Sequence, residues 1–304
     1  MSSLLPVIPR ETLDTSVLQT WQRCPRKAYL QYWLNRSPGG KNYSIGFGIM
    51  YHTFREELEK MWQDADTDDL NLAAGFCRAA IEIASDEWED PPVENSKAFL
   101  TKQRFIQSAL QGFEAWVAEK RNKVFNVLEV EQGFQLPLPS GRIFGGRFDQ
   151  ILEWNGQLWV RDFKTTSRMG KSYPKMFDPN DQMTCYTWAA SQLSGRPVKG
   201  VIIQVIYNTK NTGPEHHQFI STRSESQIEE WQQNVEREAT IIDQHTEEGY
   251  FPMRTTGCND FNGCFYRECC GMSSWKMRDA WLESHTVESH WDFMNPDEEK
   301  GIVD

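Results

Sequence analysis

The sequence predicts an α/β fold: a mixed central β-sheet flanked by helices, with a helical region in front of it. Three observations carry this prediction. Helical periodicity dominates up to residue 123, β-branched and aromatic residues dominate from 124 to 166, and helix and strand patterns then alternate to residue 246. We expect one structural domain in three parts: a helical region (1–123), a core (124–250), and a cysteine-rich segment with an acidic tail (251–304).

Four helices are predicted in the N-terminal region, over residues 14–34, 49–63, 70–88 and 97–123. The first is interrupted at Pro25, because proline lacks an amide hydrogen and clashes with the preceding helical turn. We expect these helices to precede the sheet in the chain and to cover it.

Three strands are predicted next, in the stretches VFNVLEVEQGFQLPL, RIFGGRFDQILEW and QLWVRDFKTT. Asn155 and Gly156 indicate a tight hairpin between the second and third strands, because both residues tolerate a positive φ.

A helix is predicted after these strands, with Asp178 as its N-cap, Pro179 in its first turn and Gly195 at its end. The apolar stretch KGVIIQVIYNTK then indicates a buried strand, and residues 224–246 form an amphipathic helix pattern. Strands followed by helix, strand and helix are typical of an α/β core.

The composition indicates a soluble, cytoplasmic protein without membrane contact. Hydrophobic residues make up 39% of the chain, no run approaches the ~18 apolar residues of a membrane span, and the first residues lack the pattern of a secretory signal. The net charge of −11 argues against a general polyanion-binding protein. Residues 161–175 are an exception, since they contain five basic residues and one acid.

The stretch WVRDFKTTSR places Asp162 and Lys164 two residues apart within a predicted strand. Strand side chains alternate between the two faces, so both point to one side and Phe163 to the other. An exposed ion pair would also explain this pattern. Asp149 on the preceding strand adds a second carboxylate, and two acids with a lysine are what metal-assisted phosphodiester hydrolysis requires.

Asp149, followed by the DFK of residues 162–164, resembles the signature of the PD-(D/E)XK nuclease superfamily, and DFKTT is close to the form found in its RecB-like branch. The resemblance implies a restriction-endonuclease-like core. It also implies that Asp149, Asp162 and the carbonyl of Phe163 hold Mg²⁺ or Mn²⁺. Lys164 would then act on the attacking water and on the transition state.

Two further motifs extend the resemblance. GIMYHTFREELE is similar to the helix that carries the metal-binding histidine of the branch, here His52, although a packed or exposed histidine would fit the same position. Gln182 and Tyr186 match a Q-x-x-x-Y motif that positions the DNA strand or the active-site lysine and water, and their spacing puts them on one helix face. A core position is the alternative for Tyr186. For Glu131, on the first strand, we favour a solvent-facing position over support of a metal.

Seven cysteines occur, four of them within thirteen residues, which in a cytosolic chain is more often a metal site than a set of disulfides. RecB-like nucleases with an iron–sulfur cluster place one cysteine before the core and three after it, and Cys24, Cys258, Cys264 and Cys270 resemble that order. The resemblance implies a structural [4Fe–4S] cluster. Zinc is the alternative metal, and Cys269 is a competing ligand.

The resemblance as a whole implies a metal-dependent DNA exonuclease acting on single-stranded DNA or DNA ends, in recombination, repair or phage DNA processing. A helicase, a recombinase or a single-strand-binding protein would be a natural partner. Two other functions stay open at this point: a non-catalytic DNA-binding subunit of a repair complex, and a zinc-stapled interaction protein.

Overall fold

A computed structural model describes residues 10–259 and 263–294 of the chain. The helices are α1 (Thr15–Arg23), α2 (Pro25–Ala28), α3 (Tyr43–Asp64), α4 (Leu70–Ala84), α5 (Lys102–Arg121), α6 (Asp181–Ser194), α7 (Glu225–Glu248), α8 (Arg267–Gly271) and α9 (Trp275–His285). The strands are β1 (Thr12–Asp14), β2 (Arg36–Pro38), β3 (Asn126–Pro137), β4 (Ile143–Trp154), β5 (Gln157–Thr166), β6 (Val198–Tyr207), β7 (Glu215–Thr222) and β8 (Thr286–Glu288).

The strand pairing is mixed, with parallel β1–β4 and β5–β6 pairs and antiparallel β4–β5 and β6–β7 pairs. This confirms the predicted α/β class with a mixed sheet and flanking helices. The chain divides into two compact units. The first contains the described residues of 1–41, 134–146 and 229–304, and the second contains residues 42–133 and 147–228.

In the second unit, a hairpin joins β4 to β5 at Asn155 and Gly156, whose φ angles are 50° and 73°. Asparagine and glycine are the residues that adopt this left-handed conformation at the lowest energetic cost, so the predicted turn is confirmed. β5 then pairs in parallel with β6, where Ile203 and Val205 lie opposite Asp162 and Lys164.

The core of the second unit lies between helices α3, α4 and α5 and the sheet residues Phe163 and Ile206. Buried apolar side chains form its centre, and partly buried ones pack around them. Burying one such side chain contributes about 1.5–3 kcal/mol. Arg55 of α3 is also buried, at 1% exposure, and its guanidinium carbon lies 4.2 Å from the centre of the Phe163 ring. Phe163 is therefore held by packing on the face of β5 opposite to Asp162 and Lys164.

In the first unit, α1 ends at Arg23 with Cys24 as its C-cap, and α2 begins at Pro25, as the proline predicts. Two contacts join this turn to the segment after α7: Arg26 Nε donates to the Phe251 carbonyl at 2.7 Å, and the Tyr29 and Phe251 rings stack at 4.3 Å. The helix pair is thereby held to a segment that lies more than 200 residues later in the sequence.

Two sequence-based expectations for the second unit were wrong. The helix after β5 begins at Asp181 and not near Asp178, because the side chain of Asn180 caps it by accepting the Met183 amide at 3.1 Å. Strand β7 was not predicted, because its sequence EHHQFIST is polar and its side chains are mostly exposed or half-buried, so it lacks an apolar alternation.

As for membrane insertion, every helix in the described part of the chain is too short or too polar to cross a bilayer.

Candidate active site

Strand β5 presents Asp162 and Lys164 on one face. Lys164 Nζ lies 2.7 Å from Asp162 Oδ1, and Asp162 is only 1% exposed. The pair is thus not the exposed surface ion pair that the sequence also allowed. The other carboxylate oxygen, Asp162 Oδ2, is buried and has no hydrogen-bond partner among the described residues. A buried oxygen of this kind costs free energy unless a cation or water satisfies it.

Asp149 of β4 links three elements. Its Oδ1 lies 3.1 Å from Nδ1 of His52 on α3, and its Oδ2 accepts the backbone amide of Phe163 on β5 at 2.5 Å. Asp149 is 7% exposed. The carboxylate is therefore fixed in position by a helix on one side and by the strand of Asp162 and Lys164 on the other.

Glu131 of β3 joins this group, and the expectation that it faces solvent was wrong. Its side chain is 6% exposed and forms an ion pair with Arg147 at 2.9 Å. One ligand atom each from His52, Glu131 and Asp149 lies within 4.8 Å of the other two. No sequence signal separates Glu131 from the exposed Glu129, which has the same parity in the strand; the difference is a left-handed backbone at Glu131, with φ 51°.

An imidazole nitrogen with several carboxylate oxygens suits a divalent cation such as Mn²⁺ or Mg²⁺. Within the part of the chain that the structure describes, His52, Glu131 and Asp149 form the group with that donor set. Asp162 Oδ2, which has no hydrogen-bond partner among the described residues, is a candidate fourth donor atom. The residues present therefore fit a divalent metal ion.

The charges of His52 and Asp149 depend on each other. Burial alone would lower the pKa of His52, but the charge and hydrogen bond of Asp149 outweigh it, so the pKa lies above its ordinary value. Burial would raise the pKa of Asp149, but His52, the Lys164 charge and the Phe163 amide together hold it below its ordinary value. Each group thus favours the charged form of the other, and a cation bound by Asp149 would compete with the proton on His52.

Burial and neighbouring charges also shift the pKa values of Asp162, Lys164 and Glu131. Burial raises the pKa of Asp162 above its ordinary value, although the charge of Lys164 opposes it. Burial lowers the pKa of Lys164, but Asp162 and Asp149 together raise it above its ordinary value, so the lysine stays cationic. Burial and then repulsion from Asp149 raise the pKa of Glu131 to about 8. The site thus holds more acidic groups than it can ionise without a cation.

Gln182 and Tyr186 contact each other on α6, as their spacing predicts: Gln182 Nε2 donates to the Tyr186 hydroxyl at 3.0 Å. The Tyr186 ring packs edge-on against Phe148 at 5.4 Å and is 7% exposed. Burial raises the pKa of Tyr186 well above its ordinary value, and the charges of Asp162 and Asp149 act in the same direction. The hydroxyl therefore stays protonated and lies within the electrostatic range of the acidic site.

The cysteines proposed as ligands lie in the first unit. The Cys24 thiol accepts the backbone amide of Arg254 at 3.5 Å, and the Cys264 amide donates to the Cys258 carbonyl at 2.9 Å. Burial raises the pKa of Cys270 to about 11. Cys269, and then Cys24 and Cys264, raise it further, and the charge of Arg26 opposes them. Cys24 thus lies near the C-terminal cysteines, although more than 200 residues separate them in the chain.

The other three cysteines differ from these. Cys269 is 2% exposed and its thiol lies 3.9 Å from the Arg278 carbonyl, within range of a weak hydrogen bond. Cys77 and Cys185 are 4% and 0% exposed. They behave as small buried hydrophobic residues.

The shifted acids predict a pH dependence of stability when metal is absent. Glu131 has an ordinary pKa of 4.5 and one of about 8 in the folded protein. The folded state therefore holds an extra proton between these values, and its free energy of unfolding falls as pH rises through this window, by at most about 1.4 kcal/mol per pH unit. His52, whose pKa is also raised, acts in the same direction above its unfolded pKa.

Urea unfolding in EDTA at several pH values between about 5 and 8 measures this effect. Glu131→Gln should flatten the dependence, and Glu129→Gln, at an exposed position of the same strand, should leave it as in the wild type. An equal slope in all three proteins would contradict the assignment of the proton to Glu131.

Comparison with known proteins gives a family. The model of a family described as the PD-(D/E)XK nuclease superfamily matches residues 13–271. Among solved structures, SSO0001 is 15% identical over 80% of this chain and 78% of its own, with a TM-score of 0.30. A candidate exonuclease from Eubacterium rectale is 14% identical over 82% of this chain and 86% of its own, with a TM-score of 0.48. No curated protein matches the chain.

The family match spans His52 on α3, Glu131 on β3, and the acids and lysine of β4 and β5. Because one family model matches most of its residues, the chain belongs to the PD-(D/E)XK nuclease superfamily.

Proposed function

We propose that the protein is a metal-dependent DNA exonuclease that acts on single-stranded DNA or on DNA ends. One observation carries the proposal: His52, Glu131 and Asp149 have donor atoms within 4.8 Å of one another, and Asp149 is linked through the Phe163 amide to the strand that carries Asp162 and Lys164. A protein that only binds DNA has no need of buried acids that repel each other and the phosphates.

The roles of the residues follow from their contacts. A divalent cation, when bound, polarises the scissile phosphate and acidifies a water molecule. His52, Glu131 and Asp149 would hold it, with Asp162 and the Phe163 carbonyl as further donors.

Lys164, held by Asp162, is the charged donor that orients the attacking water and offsets the negative charge that develops on the phosphate. Gln182 and Tyr186, which bond each other, would position the DNA strand or the lysine.

Cleavage of four DNA substrates tests the function: linear and circular molecules, each single-stranded and double-stranded, with the linear ones labelled at one end. We expect degradation of linear DNA with Mg²⁺ or Mn²⁺, full protection of circular DNA, and no reaction in EDTA. Cleaved circles would contradict the exonuclease assignment. Binding without cleavage in either metal would favour a DNA-holding subunit instead.

We further propose that Cys24, Cys258, Cys264 and Cys270 hold a structural [4Fe–4S] cluster. The proximity of Cys24 to Cys264 and Cys270 supports this set. Zinc held by the same four thiolates is the alternative, and the metal content of the purified protein separates the two.

Loss of the N-terminal ligand should release the iron. Cys24→Ser is expected to purify with little iron and acid-labile sulfide per chain, and with helices α1 and α2 sensitive to protease, because metal binding contributes to folding free energy. Cys77→Ser, at a buried cysteine outside the set, is the matched control and should retain iron.

The adjacent pair gives a second contrast. Cys270→Ser should lose iron, and Cys269→Ser should keep it, because the Cys269 thiol already faces the Arg278 carbonyl. Full iron in Cys24→Ser would remove that residue from the ligand set. Stoichiometric zinc without sulfide in the wild type would show that the metal is zinc.

A further inference from the structure

The loop of residues 167–176, here called the basic loop, follows β5 directly and begins three residues after Lys164. It contains Arg168, Lys171 and Lys175 and no acidic residue. All three side chains are exposed, and none forms an ion pair with the residues that the structure describes. In a chain of net charge −11, this is a local concentration of unneutralised positive charge.

Contacts at both ends hold the basic loop in place. At its start, the Arg168 amide donates to the Thr166 hydroxyl at 3.1 Å, and the same hydroxyl donates to the Arg168 carbonyl at 3.0 Å. At its end, the carbonyl of the buried Phe177 accepts from Ser221 Oγ at 2.6 Å and from Arg223 Nη2 at 3.0 Å. The charges are thus presented from a supported segment.

Tyr173 directs the basic loop back toward the candidate active site. Its ring packs on Phe177 at 5.4 Å and on Phe219 at 6.2 Å. Burial raises the pKa of its hydroxyl, and the charges of Lys164 and Asp162 both act on it. The hydroxyl also interacts with the side chain of Thr166, which lies two residues after Lys164 at the end of β5.

Without such a loop, the acidic residues of the candidate active site would repel a polyanion. Glu131, Asp149 and Asp162 repel phosphates, and Lys164 is already paired with Asp162 at 2.7 Å. A DNA strand that reaches the site therefore needs cations next to it that are free to contact phosphates. The basic loop supplies three of them at the end of β5.

We propose that the basic loop is the surface that holds the DNA backbone beside the cleavage site, with Arg168, Lys171 and Lys175 each contacting a phosphate. This inference rests on the proposed function and specifies how the substrate is held. Contacts of this kind do not depend on base sequence, because phosphates carry no sequence information.

The test compares two triple variants of equal charge. One replaces Arg168, Lys171 and Lys175 with glutamine. The control replaces three exposed basic residues elsewhere in the second unit with glutamine: Arg78 on α4, Lys123 after α5 and Lys199 at the start of β6.

Binding of a fluorescein-labelled single-stranded oligonucleotide is measured by anisotropy in EDTA over a series of NaCl concentrations. Each phosphate contact on a single strand contributes roughly 0.7 to the slope of log K against log [salt]. We expect the slope of the loop variant to be shallower by about 2, and that of the control variant to equal the wild type. Single-turnover cleavage at saturating DNA should stay within a few-fold of wild type for both variants.

Each outcome decides the proposal. A loop variant with the wild-type salt slope overturns it, and so does an equal reduction in both variants, which would show that only net charge matters. A loop variant that loses the single-turnover rate while keeping the slope would place the loop in catalysis and also overturn it. Absence of cleavage by the wild type would instead refute the proposed function, while the salt slopes still report whether the loop contacts DNA.

Discussion

Replacing Asp149 with asparagine is expected to abolish metal-dependent DNA cleavage. Asp149 lies at the centre of the site, where it contacts His52 Nδ1 at 3.1 Å and accepts the Phe163 amide at 2.5 Å. Asparagine has the same shape but lacks the charge, so the cation loses a ligand and His52 loses its counter-ion. Loss of a single positioned electrostatic contact costs roughly 10²- to 10³-fold in rate, and we expect the loss here to exceed that range.

Cleavage of end-labelled DNA and calorimetric titration with Mn²⁺ check this prediction together. Asp149→Asn should lose both DNA cleavage and Mn²⁺ binding, and should keep a wild-type far-ultraviolet circular dichroism spectrum. Asp86→Asn, at an exposed position after α4, is the control and should behave as wild type. Unchanged Mn²⁺ affinity in Asp149→Asn would show that this carboxylate is not a ligand.

Replacing Lys164 with methionine should separate cleavage from metal binding. Methionine retains most of the apolar stem of lysine but has no charge, so the water and the transition state lose their charged donor. The single-turnover rate should fall by about 10²- to 10³-fold, whereas Mn²⁺ affinity should be maintained, because Lys164 repels cations and donates no electron pair to them.

Lys199→Met, at an exposed position at the start of β6, is the control for the loss of one positive charge. A rate within a few-fold of wild type for Lys164→Met would remove the lysine from the reaction. A large loss of Mn²⁺ affinity would instead show that its role is to hold Asp162 in place.

Local rules predicted the central part of the site. The alternation of strand side chains is sufficient to place Asp162 and Lys164 on one face and Phe163 in the core, and the structure has them so. The four-residue spacing of Gln182 and Tyr186 predicted their contact in the same way. In both cases the geometry is fixed within a few residues of one regular element.

The features that escaped prediction depend on non-local or irregular structure. Glu131 enters the site through a left-handed backbone residue in a strand, which interrupts the alternation that the pattern assumes. Strand β7 is held by pairing with β6 rather than by an apolar face of its own. The start of α6 depended on which of several polar residues, Asp178 or Asn180, turns its side chain toward the free amides.

The backbone of Glu131 has a consequence for how this sequence can evolve. A left-handed conformation costs a glutamate about 1 kcal/mol or more, and glycine would adopt it freely. A buried carboxylate beside Asp149 adds a further cost while no cation is bound. Selection for folding alone therefore favours glycine at position 131, and only selection for cleavage retains the acid. In descendants that have lost nuclease activity, we expect Glu131 to be among the first site residues to be substituted, before Asp149 and Asp162.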